Sequence, residues 1–252
     1  MLSPLIKARL TISLEHKNVH ELLPDSTFQS VGFVAGTLVN TDKGLVSIQD
    51  IKVGDKVLSK SENNPNGESN YQKITEAHKF QNKSIHLLRL VESTKDDIST
   101  TIEVFATPNH PCWKVDIGWT RADLLRHGDE VILSNGNKAI IFEWSPVLRT
   151  ADTNIGWVAS DLEGLGETGA ENGYLINFSN NKISTPFLSL DNWLNEQINY
   201  WDYAPNGITW ADNYEDRYFI STVYNITVEN THTYFIGEHG VWIRDANCRI
   251  YK

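Results

Sequence analysis

Gly32-Phe33-Val34-Ala35-Gly36-Thr37-Leu38-Val39 is the stretch on which the fold turns. It follows a polar segment ending near Phe28 and opens a long strand-like text that runs from Phe33 to about Phe142. Over that span β-branched and aromatic runs are parted by turn signals such as Asp42-Lys43-Gly44, Asn64-Pro65-Asn66-Gly67 and Asn135-Gly136-Asn137. Strands spaced this closely, with no amphipathic helix between them, predict an all-β fold.

An internal echo sharpens that expectation. Ile51-Lys52-Val53-Gly54-Asp55-Lys56-Val57-Leu58 aligns with Leu125-Arg126-His127-Gly128-Asp129-Glu130-Val131-Ile132, sharing Gly-Asp and the flanking apolar positions. Gly-Asp supplies a tight turn and the Val/Ile pair starts a strand, so the two units read as equivalent corners of a duplicated structure. Residues 1–31 read as an N-terminal appendage holding an alternating run, Leu10 to Leu14. Residues 145–220 read as an insertion: four of the eight tryptophans lie there, and Leu190, Trp193, Leu194, Ile198 and Trp201 recur at helical spacing behind Ser189 as a plausible N-cap. The expectation is one amphipathic helix in a mixed α/β insertion. Residues 32–144 and 221–252, where Thr222-Val223-Tyr224-Asn225-Ile226-Thr227-Val228 resumes the strand pattern, then form one β body.

Composition excludes several functions. The 252 residues carry a net charge of −10, and residues 150–218 hold eleven acidic side chains against two basic ones, Lys182 and Arg217. Affinity for nucleic acid comes mainly from Lys and Arg displacing counterions, so this balance argues against a phosphate-backbone partner. No stretch reaches the ~18 apolar residues of a membrane span, and the first residues lack the unbroken apolar core of a signal peptide. A secretion signal would lie on a longer precursor. Cys112 and Cys248 make no metal-ligand spacing. His16 and His20 are spaced i, i+4 beside Glu21, but with no third ligand they read as surface residues, and neither a metal nor an organic cofactor is expected.

Four segments, in order, resemble the blocks of Hint (hedgehog/intein) domains, and their wording is most similar to the pretoxin Hint domains of bacterial polymorphic toxins. They are Gly32 to Val39; Ala106-Thr107-Pro108-Asn109-His110-Pro111; Val223 to Phe235; and Gly240-Val241-Trp242-Ile243-Arg244-Asp245. The resemblance implies a horseshoe of curved strands with a pseudo-two-fold repeat. It also implies single-turnover self-cleavage of the cysteine type, in which a thiol at the first position attacks the preceding carbonyl and converts an amide into a cleavable thioester. Here that position is Gly32 and the carbonyl is that of Val31, so the nucleophile's side chain is missing. Ser30, two residues upstream, sits about 7 Å away along a strand and is no replacement.

The resemblance assigns Thr107 and His110 to polarising and protonating the scissile amide, a task suited to imidazole because its pKa lies near neutrality. His232, between Thr231 and Thr233 in a strand-like run, matches the histidine that assists the C-terminal reaction. Asn225 fills a slot where many inteins have aspartate, and also reads as an ordinary strand-edge residue. Relatives end in His-Asn, whose amide cyclises to a succinimide; this chain has Arg244 and Asp245 there. Arg stays protonated and cannot shuttle a proton. Asn247-Cys248 offers the right atoms in a shifted register.

Departures at Gly32, Arg244 and Asp245 together imply an autoprocessing module whose cleavage is lost or trapped, from a secreted or cell-surface-exported toxin-type protein with cargo on the C-terminal side of a longer precursor. The alternative is a non-catalytic scaffold that presents the acidic 145–220 segment to a protein partner, since Trp and Tyr make interface anchors.

Overall fold

The computed structural model describes residues 30–94, 97–159, 172–185, 198–209 and 211–246. The appendage up to residue 29, His16, His20 and Glu21, Ser189 to Leu194, and Asn247-Cys248 lie outside the described residues.

The duplicated corner governs the body. After β1 (Phe33–Val34), β2 (Leu38–Thr41) and β3 (Gly44–Ser47) form a hairpin, a 3₁₀ turn follows at Ile48–Asp50, and β4 (Lys56–Ser59) leads into the long β5 (Asn70–Ser84). After β6 (His86–Thr94) and β7 (Asp97–Ala106) the programme repeats. The hairpin of β8 (Pro111–Lys114) and β9 (Gly118–Arg121) is followed by a 3₁₀ turn at Ala122–Leu124, β10 (Glu130–Ile132) and the long β11 (Lys138–Pro146).

The hydrogen bonds repeat as well. Gly54 N–H reaches the Ile74 carbonyl and Ile74 N–H the Asp55 carbonyl; Gly128 pairs with Ile141, and Ile141 with Asp129, in the same way. In each corner the aspartate carboxylate accepts from the backbone three residues earlier, Lys52 at 3.0 Å and Arg126 at 2.9 Å. Both glycines have φ near +90°, a conformation with little cost only where no Cβ exists. The echo in the sequence is therefore a structural two-fold repeat.

The strands form a single curved antiparallel sheet that bends back on itself. Its order is β10-β11-β6-β7-β1-β16-β5-β4-β2-β17-β18-β8-β9, with β16 (Ile220–Val228), β17 (Thr233–Ile236) and β18 (Val241–Arg244) supplied by the end of the chain, and a β8–β10 pairing closes it. β1 is inserted between β7 and β16, where Phe33 stands opposite both Ala106 and Tyr224. The sheet buries one core that includes Phe33, Leu90, Ile226, Tyr234 and Ile243. Burial of each such side chain is worth about 1.5–3 kcal/mol.

The insertion differs from its expected form. Among the described residues it is a second antiparallel sheet, β12 (Leu148–Arg149), β13 (Ile155–Ala159), β14 (Asn172–Asn177) and β15 (Ile198–Asn199), with short 3₁₀ turns at Ser179–Asn181, Tyr200–Asp202 and Tyr214–Arg217 and no α-helix among those residues. Ile198 lies in β15 and Trp201 in a 3₁₀ turn capped by Asn199, so the C-terminal part of the proposed helical stripe is not helical. The physical reason is pairing: Gly173 pairs across to Ile198, and the Trp157 indole donates to the Ile198 carbonyl at 3.2 Å, which holds that backbone extended. The second sheet packs on the body through a shared apolar layer containing Val34, Phe105, Val147, Tyr174 and Phe219.

Candidate active site

Residues 31 and 32 enter the body between the turn after β7 and the middle of β16. Thr107 N–H donates to the Gly32 carbonyl at 3.0 Å, and Gly32 N–H donates to Thr107 Oγ1 at 3.2 Å. The Val31 carbonyl accepts from Asn225 Nδ2 at 3.1 Å. Both polar groups of the 31/32 peptide bond are thus held by side chains from opposite sides, and Val31 is fully buried.

Asn225 was legible in the sequence only as a slot, and its strand-edge reading is corrected here. It sits mid-strand in β16, which is paired with both β1 and β5, and it is 1% exposed. Its Oδ1 accepts from Ile226 N–H at 2.8 Å and from the Tyr234 hydroxyl at 2.7 Å. With the oxygen doubly engaged, the amide nitrogen is the end turned to Val31, and the assignment follows from the network.

His110 is also brought to this junction. Its ring packs on Phe33 with centroids 4.2 Å apart and is wholly buried, with Nδ1 3.4 Å from the Pro111 carbonyl. Burial pushes its pKa down to about 3, and it does the same to His86. At neutral pH both rings are therefore uncharged.

The sign of the resulting pH dependence is fixed. The unfolded chain takes up these protons near 6.5, whereas the folded one resists until about 3, so the stability these groups contribute is intact above 6.5 and falls as pH drops towards 3. The urea midpoint is expected to be lower at pH 5 than at pH 7.5, and the gap to narrow in His86→Phe. Equal gaps in the two chains would contradict this.

At Gly32 the backbone has closed in. A Cβ there would lie 2.7 Å from the Tyr224 carbonyl oxygen and 2.9 Å from Val223 Cγ2, so a side chain requires β1 and β16 to move apart.

The far end of the chain converges on the same strand. Asp245 is fully buried, and its Oδ2 accepts from Val228 N–H at 2.9 Å and faces His232 Nδ1 at 3.3 Å. Ala246 N–H donates to the Ile226 carbonyl at 3.0 Å. Asn225 and Ile226 are neighbours in β16, one touching Val31 and the other Ala246, so the two junctions are separated by a single strand position.

His232 is not in a strand, as its flanking threonines suggested. It lies in the turn between β16 and β17 with φ of +55°, and this backbone state aims its ring at Asp245. The hydrogen bond to Asp245 raises its pKa, against some desolvation. Arg244 is turned elsewhere: it pairs with Glu62 and lies 5.7 Å over the Trp119 ring, whose indole donates to the Glu62 carbonyl. Cys112, on β8, is buried with its thiol pushed up to about 12, which leaves it protonated and a poor nucleophile. No cluster of three or more His, Cys, Asp or Glu side chains suited to a metal occurs among the described residues, and none of their helices is long and apolar enough to cross a membrane.

A comparison with curated proteins gives no match. Among solved structures, the chain is similar to a bacterial intein-like domain from Clostridium thermocellum (21% identity, covering 85% of this chain and 98% of that one, TM-score 0.47). It is also similar to a DnaB intein from Synechocystis sp. PCC 6803 (13% identity, 86% and 99% covered, TM-score 0.43) and to the gp41-1 intein (12% identity, 86% and 99% covered, TM-score 0.44). Residues 38–148, which include both duplicated corners, match the family model described as the pretoxin HINT domain.

Proposed function

We propose that this chain is an autoprocessing-type Hint module in which self-cleavage has been silenced at both ends, within a secreted toxin-type precursor that carries cargo beyond the C-terminal junction. The observation that carries the reading is the 31/32 peptide bond, gripped on its carbonyl by Asn225 and on its N–H by Thr107 while its attacking group is absent. In a chain carrying Gly32→Cys, the restored thiolate would add to the Val31 carbonyl carbon. The C–N bond would then break, the amine of residue 32 would leave protonated, and a thioester would remain. Thr107 and Asn225 hold the amide for that step, and the proposal assigns the proton transfer to His110, whose ring packs on Phe33 beside the junction. Glycine supplies no sulfur, so the amide persists. At the other end the Asp245 carboxylate has no amide nitrogen with which to cyclise, and Arg244 is committed to Glu62.

The test is to place a reporter protein ahead of Val31 and follow the chain by mass spectrometry in the presence of a thiol. The native chain is expected to stay whole over days, and Gly32→Cys to release the reporter at the 31/32 bond. The substituted chain should also melt lower, because opening the strands around the new Cβ costs about 1–3 kcal/mol. Spontaneous cleavage of the native chain would sink the silenced reading; a folded Gly32→Cys variant that never cleaves would leave the scaffold alternative.

A further inference from the structure

Ala106 puts a single methyl in the middle of a face whose neighbours are large. His86 on β6 and Phe33 on β1 both stand opposite it, and opposed residues of antiparallel strands send their side chains to the same face. The His110 ring covers Phe33, and His86 stacks on Trp144 with centroids 4.3 Å apart. The shortfall of side-chain volume over Ala106 leaves a cavity of about 10 Å³ lined by His86, His110, Thr107 and Cys112 among others.

Two buried ring nitrogens in that lining have no protein partner: Nδ1 of His86 and Nε2 of His110. A bare buried polar group is destabilising, and a void of roughly 10–15 Å³ with two to four polar neighbours is sufficient for one water. Each ring is neutral, because burial pushes both down to about 3, so each presents one N–H and one lone pair. With Nδ1 of His110 turned to the Pro111 carbonyl, its Nε2 is the acceptor.

The geometry points to one buried water joining His86 Nδ1 to His110 Nε2, which makes His86 a positioning residue: the water it holds donates to Nε2 and, together with the Pro111 carbonyl facing Nδ1, keeps His110 in its Nδ1–H form. The inference rests on the proposed function for its catalytic meaning, since a fixed tautomer matters only if His110 moves a proton at the 31/32 bond. Its test does not involve cleavage, so the two readings fail separately.

The full chain is labelled with ¹⁵N-histidine, and long-range ¹H–¹⁵N correlation reads each ring's tautomer while water-selective transfer reads contacts to the ring protons. The native protein is expected to show His110 as a single Nδ1–H form with a long-lived water at its ring. His86→Phe should lose the water contact and leave His110 as a mixture of tautomers, with folding checked by a thermal melt. His86→Asn, which keeps a polar atom near the position of Nδ1, should restore both signals. Absence of a water contact in the native protein overturns the inference even if neither variant folds. So does a His86→Phe spectrum in which contact and tautomer are unchanged.

Discussion

In the Gly32→Cys chain, a further Asn225→Ala substitution is expected to slow release of the segment ahead of Val31 by about 10²–10³-fold, the usual loss when one oxyanion-stabilising donor is removed. The Val31 oxygen becomes the oxyanion when sulfur adds, and Asn225 Nδ2 already lies 3.1 Å from it. That donor is preorganised, because Ile226 N–H and the Tyr234 hydroxyl hold Oδ1 and leave the amide no second orientation. Asn225→Asp is the informative control: it keeps the shape but turns a donor into an acceptor facing the carbonyl, so the loss should be at least as large. Tyr234→Phe should give a smaller one, since it loosens the amide without removing it. Single-turnover time courses at saturating thiol measure all three. An Asn225→Ala chain that is folded and cleaves at the parent rate would remove Asn225 from the site.

Arg89→Ala is expected to cost about 3–5 kcal/mol of folding stability, the range for breaking a buried ion pair from one side. For a domain of this size that corresponds to a fall in Tm of roughly 6–20 °C. Arg89 is 4% exposed and holds Glu103 at 3.0 Å, Glu143 and the Tyr174 hydroxyl together. Removing it leaves two facing carboxylates, of which Glu143 is buried and otherwise steadied only by the Ser145 hydroxyl at 2.7 Å among its described hydrogen bonds. It also cuts a polar tie between the body and β14 of the second sheet.

The pH dependence has a definite sign. Burial already raises the Glu143 pKa, and Arg89 opposes that rise. Without Arg89 the folded protein holds the Glu143 proton more tightly still, so the variant keeps most of its stability below the ordinary carboxylate pKa and loses it as pH rises through the folded one. Urea melts at pH 4.5 and pH 8 should therefore separate the two proteins more at the higher pH; a uniform deficit would contradict this account. Replacing Arg89, Glu103 and Glu143 together by apolar residues of similar volume should be far milder than removing Arg89 alone.

The parts of the molecule legible in the sequence are those set by neighbouring residues. Gly54-Asp55 and Gly128-Asp129 were readable as twin corners because a positive-φ glycine followed by an aspartate that bonds back three residues is a local device, and it recurs in the same form. Thr107 and His110 stand out in the sequence because only Pro108 and Asn109 lie between them. The insertion misled for the opposite reason. Apolar residues at helical spacing are also consistent with an extended segment, and here a cross-strand partner at Gly173 and the Trp157 indole decide the matter near Ile198.

The unread parts of the site depend on long-range pairing. Asn225 meets Val31 across 194 positions of chain, and His86 shares a cavity with His110 only because β6, β7 and β1 are side by side. No local pattern encodes either contact. The motif singled out His232, but its aim at Asp245 comes from a left-handed turn that the alternating threonines concealed.

By itself, then, the sequence determined the all-β class, the repeated corner and the lack of a side chain at Gly32, because composition, turn chemistry and a missing side chain are local properties. Only the tertiary structure decided that the two ends of the body meet on adjacent residues of β16, that Asn225 rather than a nearer residue holds the Val31 carbonyl, and that Tyr224 has closed over the α-carbon of Gly32. Those facts arise from strand order and register, which are set by the burial of a whole sheet face and cannot be computed from any one stretch of it.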